Sequence, residues 1–197
     1  MGSLKIVFFL LLFSGTTVVG HGTNQPRQGC YSLTYKDYAQ SKPIPLFTNE
    51  AYFNKQLVYK FSSNTSKAVP EPEWVDVEDW NKESQVQEAR GIFAMENLEE
   101  IMAYDKDVNG SHVLSGHFGC KLCKDDAISV FWNINFDGKP FITFNPKILA
   151  WIPKVPTAEI IKKKWEEDPG AVNRTKDYLE KECIEKLKQY RDHQKTN

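Results

Sequence analysis

The chain has 197 residues, is 41% hydrophobic, and sets 25 Lys and Arg against 26 Asp and Glu for a net charge of −1. No block of like charge is longer than the Lys162–Lys164 triplet, so the electrostatic footprint of a nucleic-acid binder or a membrane-surface protein is missing. Its length suits a single domain with a sizeable core.

The N-terminus places one lysine, Lys5, before an apolar run from Ile6 to Phe13, followed by small residues up to Gly20. These features predict a secretory signal peptide over residues 1–20. The run is shorter than the roughly 20 apolar residues that cross a bilayer. No second apolar segment follows, so no membrane anchor is expected and the product should be secreted and extracellular. Three glycosylation acceptors agree with that compartment: Asn64-Thr65-Ser66, Asn109-Gly110-Ser111 and Asn173-Arg174-Thr175.

Residues 30 to 60 read as strands. In "CYSLTYKDYA", Tyr31, Leu33 and Tyr35 alternate with Ser32, Thr34 and Lys36. "AYFNKQLVYKF" forms a second strand region beyond the proline-bearing "SKPIP", and "AVPEPE" then punctuates the chain. From Trp80 the period changes: Trp80, Val86, Ala89, Phe93, Leu98, Ile101 and Met102, with the polar Ser84 and Asn97 on the same stripe, recur at helical steps, which predicts one long amphipathic helix to about Tyr104. Gly91 inside it permits a bend or close packing.

Strand patterns resume in "SHVLSGHFGCKLC", "AISVFWNINF" and "PFITFNP", with Asp137-Gly138 as a hairpin signal. Pro156 opens a second helical stretch that Pro169-Gly170 must interrupt, and "NRTKDYLEKECIEKLKQYR" resumes it. Two halves share one grammar of several strands followed by a long helix. That predicts an α+β fold with both helices on one face of a single sheet, leaving a groove between them where ligands bind.

Cys120 and Cys123 stand with two residues between them, a spacing open to half a zinc site, a redox pair or two unrelated thiols. With Cys30 and Cys183 the count is four. An even number in an oxidising compartment favours two disulfides with three possible connectivities. A tetrahedral zinc site needs a fourth ligand beyond Cys120, Cys123 and His117, and none follows at a usual spacing. No metal, cofactor or catalytic constellation is expected, and hence no enzyme.

The stretches "YSLTY" (31–35), "VEDWNKESQVQEAR" (77–90), "NGSHVL" (109–114), "FGC" (118–120), "FITFNP…AWIP" (141–153) and "KKWEEDP" with "YLEKECIEKLKQY" (163–169, 178–190) together resemble the membrane-distal platform of the class I major histocompatibility superfamily, and within it the secreted zinc-alpha-2-glycoprotein-like branch. The resemblance implies an eight-stranded antiparallel sheet under two long helices. The first half would cover about 30–108 and the second about 109–190, together making residues 21–197 one platform. It implies a Cys120–Cys183 bridge from sheet to helix. Its register sets Tyr35 beside Phe118, which brings Cys30 opposite Cys123 as an additional bridge.

Departures bear on function. Peptide-presenting members hold peptide ends with tyrosines and a Thr/Lys/Trp cluster. Tyr35, Lys164, Trp165, Tyr178 and Tyr190 match, but Asp79 and Ala103 stand where tyrosines are expected. No immunoglobulin-like domain follows Tyr190, so partnership with β2-microglobulin is not expected. The resemblance implies a groove lined by Tyr35, Arg90, Phe118, Trp132, Trp165 and Tyr178, carrying a small hydrophobic or fatty-acid-like ligand with Arg90 available to a carboxylate head group. The alternative is a soluble ligand or decoy for an immune or other cell-surface receptor, with the groove closed.

Overall fold

The computed structural model describes residues 29–104 and 109–196. The expected signal peptide lies outside these residues. Eight strands run β1 Cys30–Gln40, β2 Leu46–Phe53, β3 Gln56–Ser62, β4 Lys67–Pro70, β5 Val113–Cys123, β6 Ile128–Phe136, β7 Lys139–Asn145 and β8 Ala150–Pro153. They form one antiparallel sheet in the order β4-β3-β2-β1-β5-β6-β7-β8, two four-stranded meanders joined along β1 and β5. The helices are α1 Trp80–Ala103, α2 Pro156–Glu166, α3 Ala171–Asp177 and α4 Cys183–Thr196, the last two joined by a π-turn at Tyr178–Glu182.

Alternation in β1 turns Leu33, Tyr35 and Ala39 into the core under the helices and leaves Lys36 and Tyr38 on the other, solvated face. The register of β1 on β5 sets Tyr35 opposite Phe118 and Cys30 opposite Cys123. Both expected disulfides are present, Cys30–Cys123 between strands and Cys120–Cys183 from β5 to α4.

Three local readings are corrected. The stretch 51–61 is a hairpin rather than one strand. Asn54 and Lys55 both take positive φ, 47° and 72°, and make the two-residue turn between β2 and β3. The Asn54 side chain accepts a hydrogen bond from the Ser32 amide, which ties that turn to β1. The proline-rich punctuation holds a short edge strand, β4, where Pro70 ends the ladder and needs no donor beyond it.

The third correction concerns α1. Asp79 caps it by accepting from the Asn81 and Lys82 amides. Leu98 and Ile101 are buried as the apolar period predicts, but Val86, Ala89 and Phe93 are exposed. In the first half of the helix the buried positions are Glu83, Gln87 and Gly91. The face there is polar because it meets charged and hydroxyl groups from other elements. Gly91 serves close packing: a Cβ at that position would come within 2.7 Å of the Phe47 ring on β2. The second helical stretch breaks between Glu166 and Ala171, at Pro169-Gly170 as its sequence requires.

Gly119 sits at the seam between the halves. Its φ is +155°, and a Cβ there would lie 2.2 Å from the Leu33 carbonyl oxygen, so the backbones of β1 and β5 meet at a distance only glycine allows. We predict that Gly119→Ala lowers unfolding free energy by about 3 kcal/mol, read as a lower urea midpoint. An unchanged midpoint would show that the seam relaxes without loss.

Candidate functional site

The groove floor is built from register. Tyr35 on β1, Phe118 on β5 and Trp132 on β6 are successive cross-strand partners. Their rings stack at centroid distances of 5.0 Å and 4.5 Å. Tyr178, in the π-turn, lies over both Phe118 and Trp132 at 6.3 Å. Trp151 links Trp132 to Trp165, at 5.8 Å and 4.8 Å. These five aromatics, expected with Arg90 to line the groove, make one cluster that Trp151 joins, but of the six only Arg90, Trp132 and Trp165 border the two cavities along the groove, and Tyr35 and Phe118 are buried in the core.

Arg90 reaches from α1 onto this floor. Its guanidinium carbon is 4.0 Å from the centre of the Phe118 ring and 4.9 Å from that of Trp132, a cation–π arrangement suited to a planar guanidinium. Its Nε donates to Asp37 Oδ2 at 2.8 Å, and Asp37 Oδ1 accepts from Asn49 Nδ2 at 2.7 Å. Burial works to lower the Arg90 pKa, and Asp37 overrides it, holding the group firmly charged. The guanidinium expected to be available to a ligand carboxylate is thus already paired with a floor aspartate. Asp37 shares the parity of Leu33 and Tyr35, so an extended reading of the alternation would have placed a charge on the groove face.

Two cavities lie along the groove. One of about 270 Å³ is bounded by Asp37, Arg90, Phe93, Asn97, Gly116 and Trp132, among others. The second, about 400 Å³, runs beneath the broken helix between Trp132, Trp151, Trp165, Ala171 and Thr175. Phe93, Trp132, Ile134 and Trp165 border both. Trp165 Nε1 donates to Asn97 Oδ1 at 3.0 Å, so this indole crosses from α2 to α1. The Lys164–Glu100 ion pair makes a second crossing nearby. Asn97 falls on the helical stripe read from the sequence, but its partner comes from the other helix and had no local signal.

The model of the family described as "Class I Histocompatibility antigen, domains alpha 1 and 2" matches residues 29–197. The chain belongs to the class I histocompatibility family. The class I chain is 39% identical over 199 residues to zinc-alpha-2-glycoprotein of Homo sapiens, covering 98% of this chain and 65% of that protein. It is 38% identical to zinc-alpha-2-glycoprotein of Bos taurus, covering 98% of this chain and 66% of that protein. It is 41% identical to zinc-alpha-2-glycoprotein of Mus musculus over 86% of this chain and 57% of that protein. The chain thus spans less than two thirds of the length of these curated relatives.

At the end of the groove near the start of α1, where tyrosines were expected of a peptide-presenting chain, the structure has an ion network. Lys186 of α4 lies 2.8 Å from Glu78 and 2.6 Å from Glu83. Tyr59 and Gln87 also donate to Glu83, each at 2.8 Å, and Tyr190 donates to Glu78 at 2.6 Å. Asp79 at this end is spent as the α1 cap. Tyr190 is buried beneath the network against Trp74 and Phe53, so it serves the core. Ala103 is exposed on the last turn of α1. No helix among the described residues is long and apolar enough to cross a membrane, and no group of three metal-ligating side chains is placed to hold a metal ion. Asn64, Asn109 and Asn173 are all exposed.

The network's two carboxylates diverge. Burial raises the Glu78 pKa and wins over Lys186 and Tyr190. Burial also acts to raise Glu83, but Lys186 and the bonds from Tyr59 and Gln87 pull it below the ordinary 4.5. Burial would lower Lys186, and the two carboxylates leave it raised above 10.5. Stability from Glu83 is therefore present above its unfolded pKa and lost as pH falls below it, while Glu78 opposes that loss by taking up a proton first. Stability from Lys186 is full below 10.5 and lost as pH rises through its raised value. We predict a plateau of unfolding free energy around neutral pH that falls as pH rises above about pH 10. Lys186→Met should lower the plateau by about 3 kcal/mol, since it leaves two buried carboxylates unpaired. Chemical denaturation across pH measures both, and a variant curve matching wild type in height and shape would refute the account.

Proposed function

We propose that this chain is a secreted class I-like carrier that holds a small hydrophobic or fatty-acid-like molecule in the groove between its helices and does not present peptides. The observation that carries the reading is the pair of aromatic-walled cavities bordered in common by Phe93, Trp132, Ile134 and Trp165. Their volumes lie near the range of small-molecule sites. Each methylene buried there contributes about 0.8 kcal/mol, so a chain of modest length suffices for micromolar binding.

The crossings at both ends support a ligand shorter than an extended peptide. Lys186 ties α4 to α1 at one end, and Trp165 and Lys164 tie α2 to α1 at the other. A strand-like peptide would have to part these contacts to lie along the groove. Two disulfides support secretion, because such bridges persist in oxidising compartments.

A receptor-facing role is the second reading, favoured by Val86, Ile92 and Phe93, which are all about half exposed or more on α1. The exposed Asn173 on α3 separates the two: a glycan there would stand over the helices and obstruct docking on that face, and leave the cavities untouched.

We predict saturable binding of a fluorescently labelled acyl chain to the disulfide-bonded protein. Trp165→Ala should weaken it about tenfold by removing a wall shared by both cavities. Fluorescence titration measures both. Absence of saturation with the wild-type protein would sink the carrier reading.

A further inference from the structure

We infer that Asp37 sets the ligand class of this groove: by neutralising Arg90 on the cavity floor, it makes the site selective for long-chain molecules with an uncharged polar head, such as alcohols or esters, over free carboxylates. The inference rests on the carrier reading above and goes beyond it in naming the head group.

Both members of the pair border the 270 Å³ cavity. Their side chains keep only 17% and 12% exposure, so the ion pair is mostly desolvated and faces the space a ligand would fill. The Asp37 carboxylate is held on both oxygens, by Arg90 Nε and by Asn49 Nδ2. Opposite Asp37 on β5 is Gly116, where a Cβ would come within 3.4 Å of Asp37 Oδ2. The missing side chain leaves the carboxylate open to the cavity.

A ligand carboxylate seeking Arg90 meets this prior occupant. To pair with the guanidinium it must approach Asp37 as a like charge in a weakly solvated site, or displace it and leave a buried carboxylate without its counter-ion. A hydroxyl or ester oxygen meets neither obstacle. The guanidinium offers five N–H donors, and Asp37 engages it through Nε. A neutral acceptor can add to the pair without breaking it.

The remaining cations bordering the second cavity are committed too. Lys164 pairs with Glu100 and Arg174 with Asp168. These pairs are largely exposed and weak, but they sit at the helix level and not on the aromatic floor. Across both cavities each lining cation has its own carboxylate, so the groove presents a balanced interior.

The test compares dodecanol with dodecanoate at neutral pH, below micelle formation. Each competes against an uncharged fluorescent alkyl probe on the intact, disulfide-bonded protein. The wild type should bind the alcohol about tenfold more tightly than the acid. Asp37→Asn, nearly isosteric, should invert that order by freeing Arg90, and Asp37→Asn/Arg90→Gln should remove any preference for the acid. Equal wild-type affinities unchanged by Asp37→Asn, or a wild-type preference for the acid, overturn the inference while the carrier reading stands. If the probe itself fails to bind the wild type, the carrier reading falls and this inference with it. Should Asp37→Asn lose its near-ultraviolet circular dichroism, the wild-type alcohol-to-acid ratio alone decides.

Discussion

The pairing of β1 with β5 is the constraint on which the rest of the structure depends. It joins two meanders into one sheet over eleven residue pairs, and it sets which side chains share the groove floor. Tyr35 lies beside Phe118 and Asp37 beside Gly116 because this register holds. The seam is tight enough that Gly119 has no space for a methyl group. A slip of one residue would turn every floor residue to the opposite face. The Cys30–Cys123 bridge at one end of the seam and Cys120–Cys183 above it oppose such a slip.

The groove above the seam is polar in its skeleton and apolar in its surface. Its charged groups occur as matched sets: Arg90 with Asp37 on the floor, Lys186 with Glu78 and Glu83 at one end, Lys164 with Glu100 at the other. The first two sets are buried and add little net stability against well-packed hydrophobic residues, and the exposed third is weak. Their directional contacts do hold two helices at a fixed separation over the sheet. Between the sets, aromatic rings supply the area a hydrophobic guest would cover.

Much of the fold was legible in the sequence because it rests on short-range pattern or family resemblance. The alternation of β1, the change of period at Trp80 and the break at Pro169-Gly170 are local signals, and the resemblance supplied the register that pairs the cysteines. What stayed illegible depends on partners distant in sequence. Glu83 and Gln87 look like the solvated side of α1 until Lys186 arrives from α4, 103 residues after Glu83. Asn97 lies on the helical stripe, but its partner Trp165 comes from α2. The Asn54-Lys55 turn lacks the glycine that usually marks a two-residue hairpin, and four-residue β4 is too short to show a period. Asp37 was within reach, since it continues the parity of the core residues before it. A charge on that face breaks the apolar alternation, and breaks of that kind mark sites.

The two disulfides differ in what they connect. Cys120–Cys183 closes a loop inside the second half of the platform, whereas Cys30–Cys123 ties the first half to the second. Apart from the peptide chain itself, it is the one covalent bond between them. A backbone cut between α1 and β5 would therefore leave a two-piece molecule that migrates as a single species until a reductant is added. The platform is chemically a loop, and its integrity does not depend on the connection that a linear reading makes look indispensable.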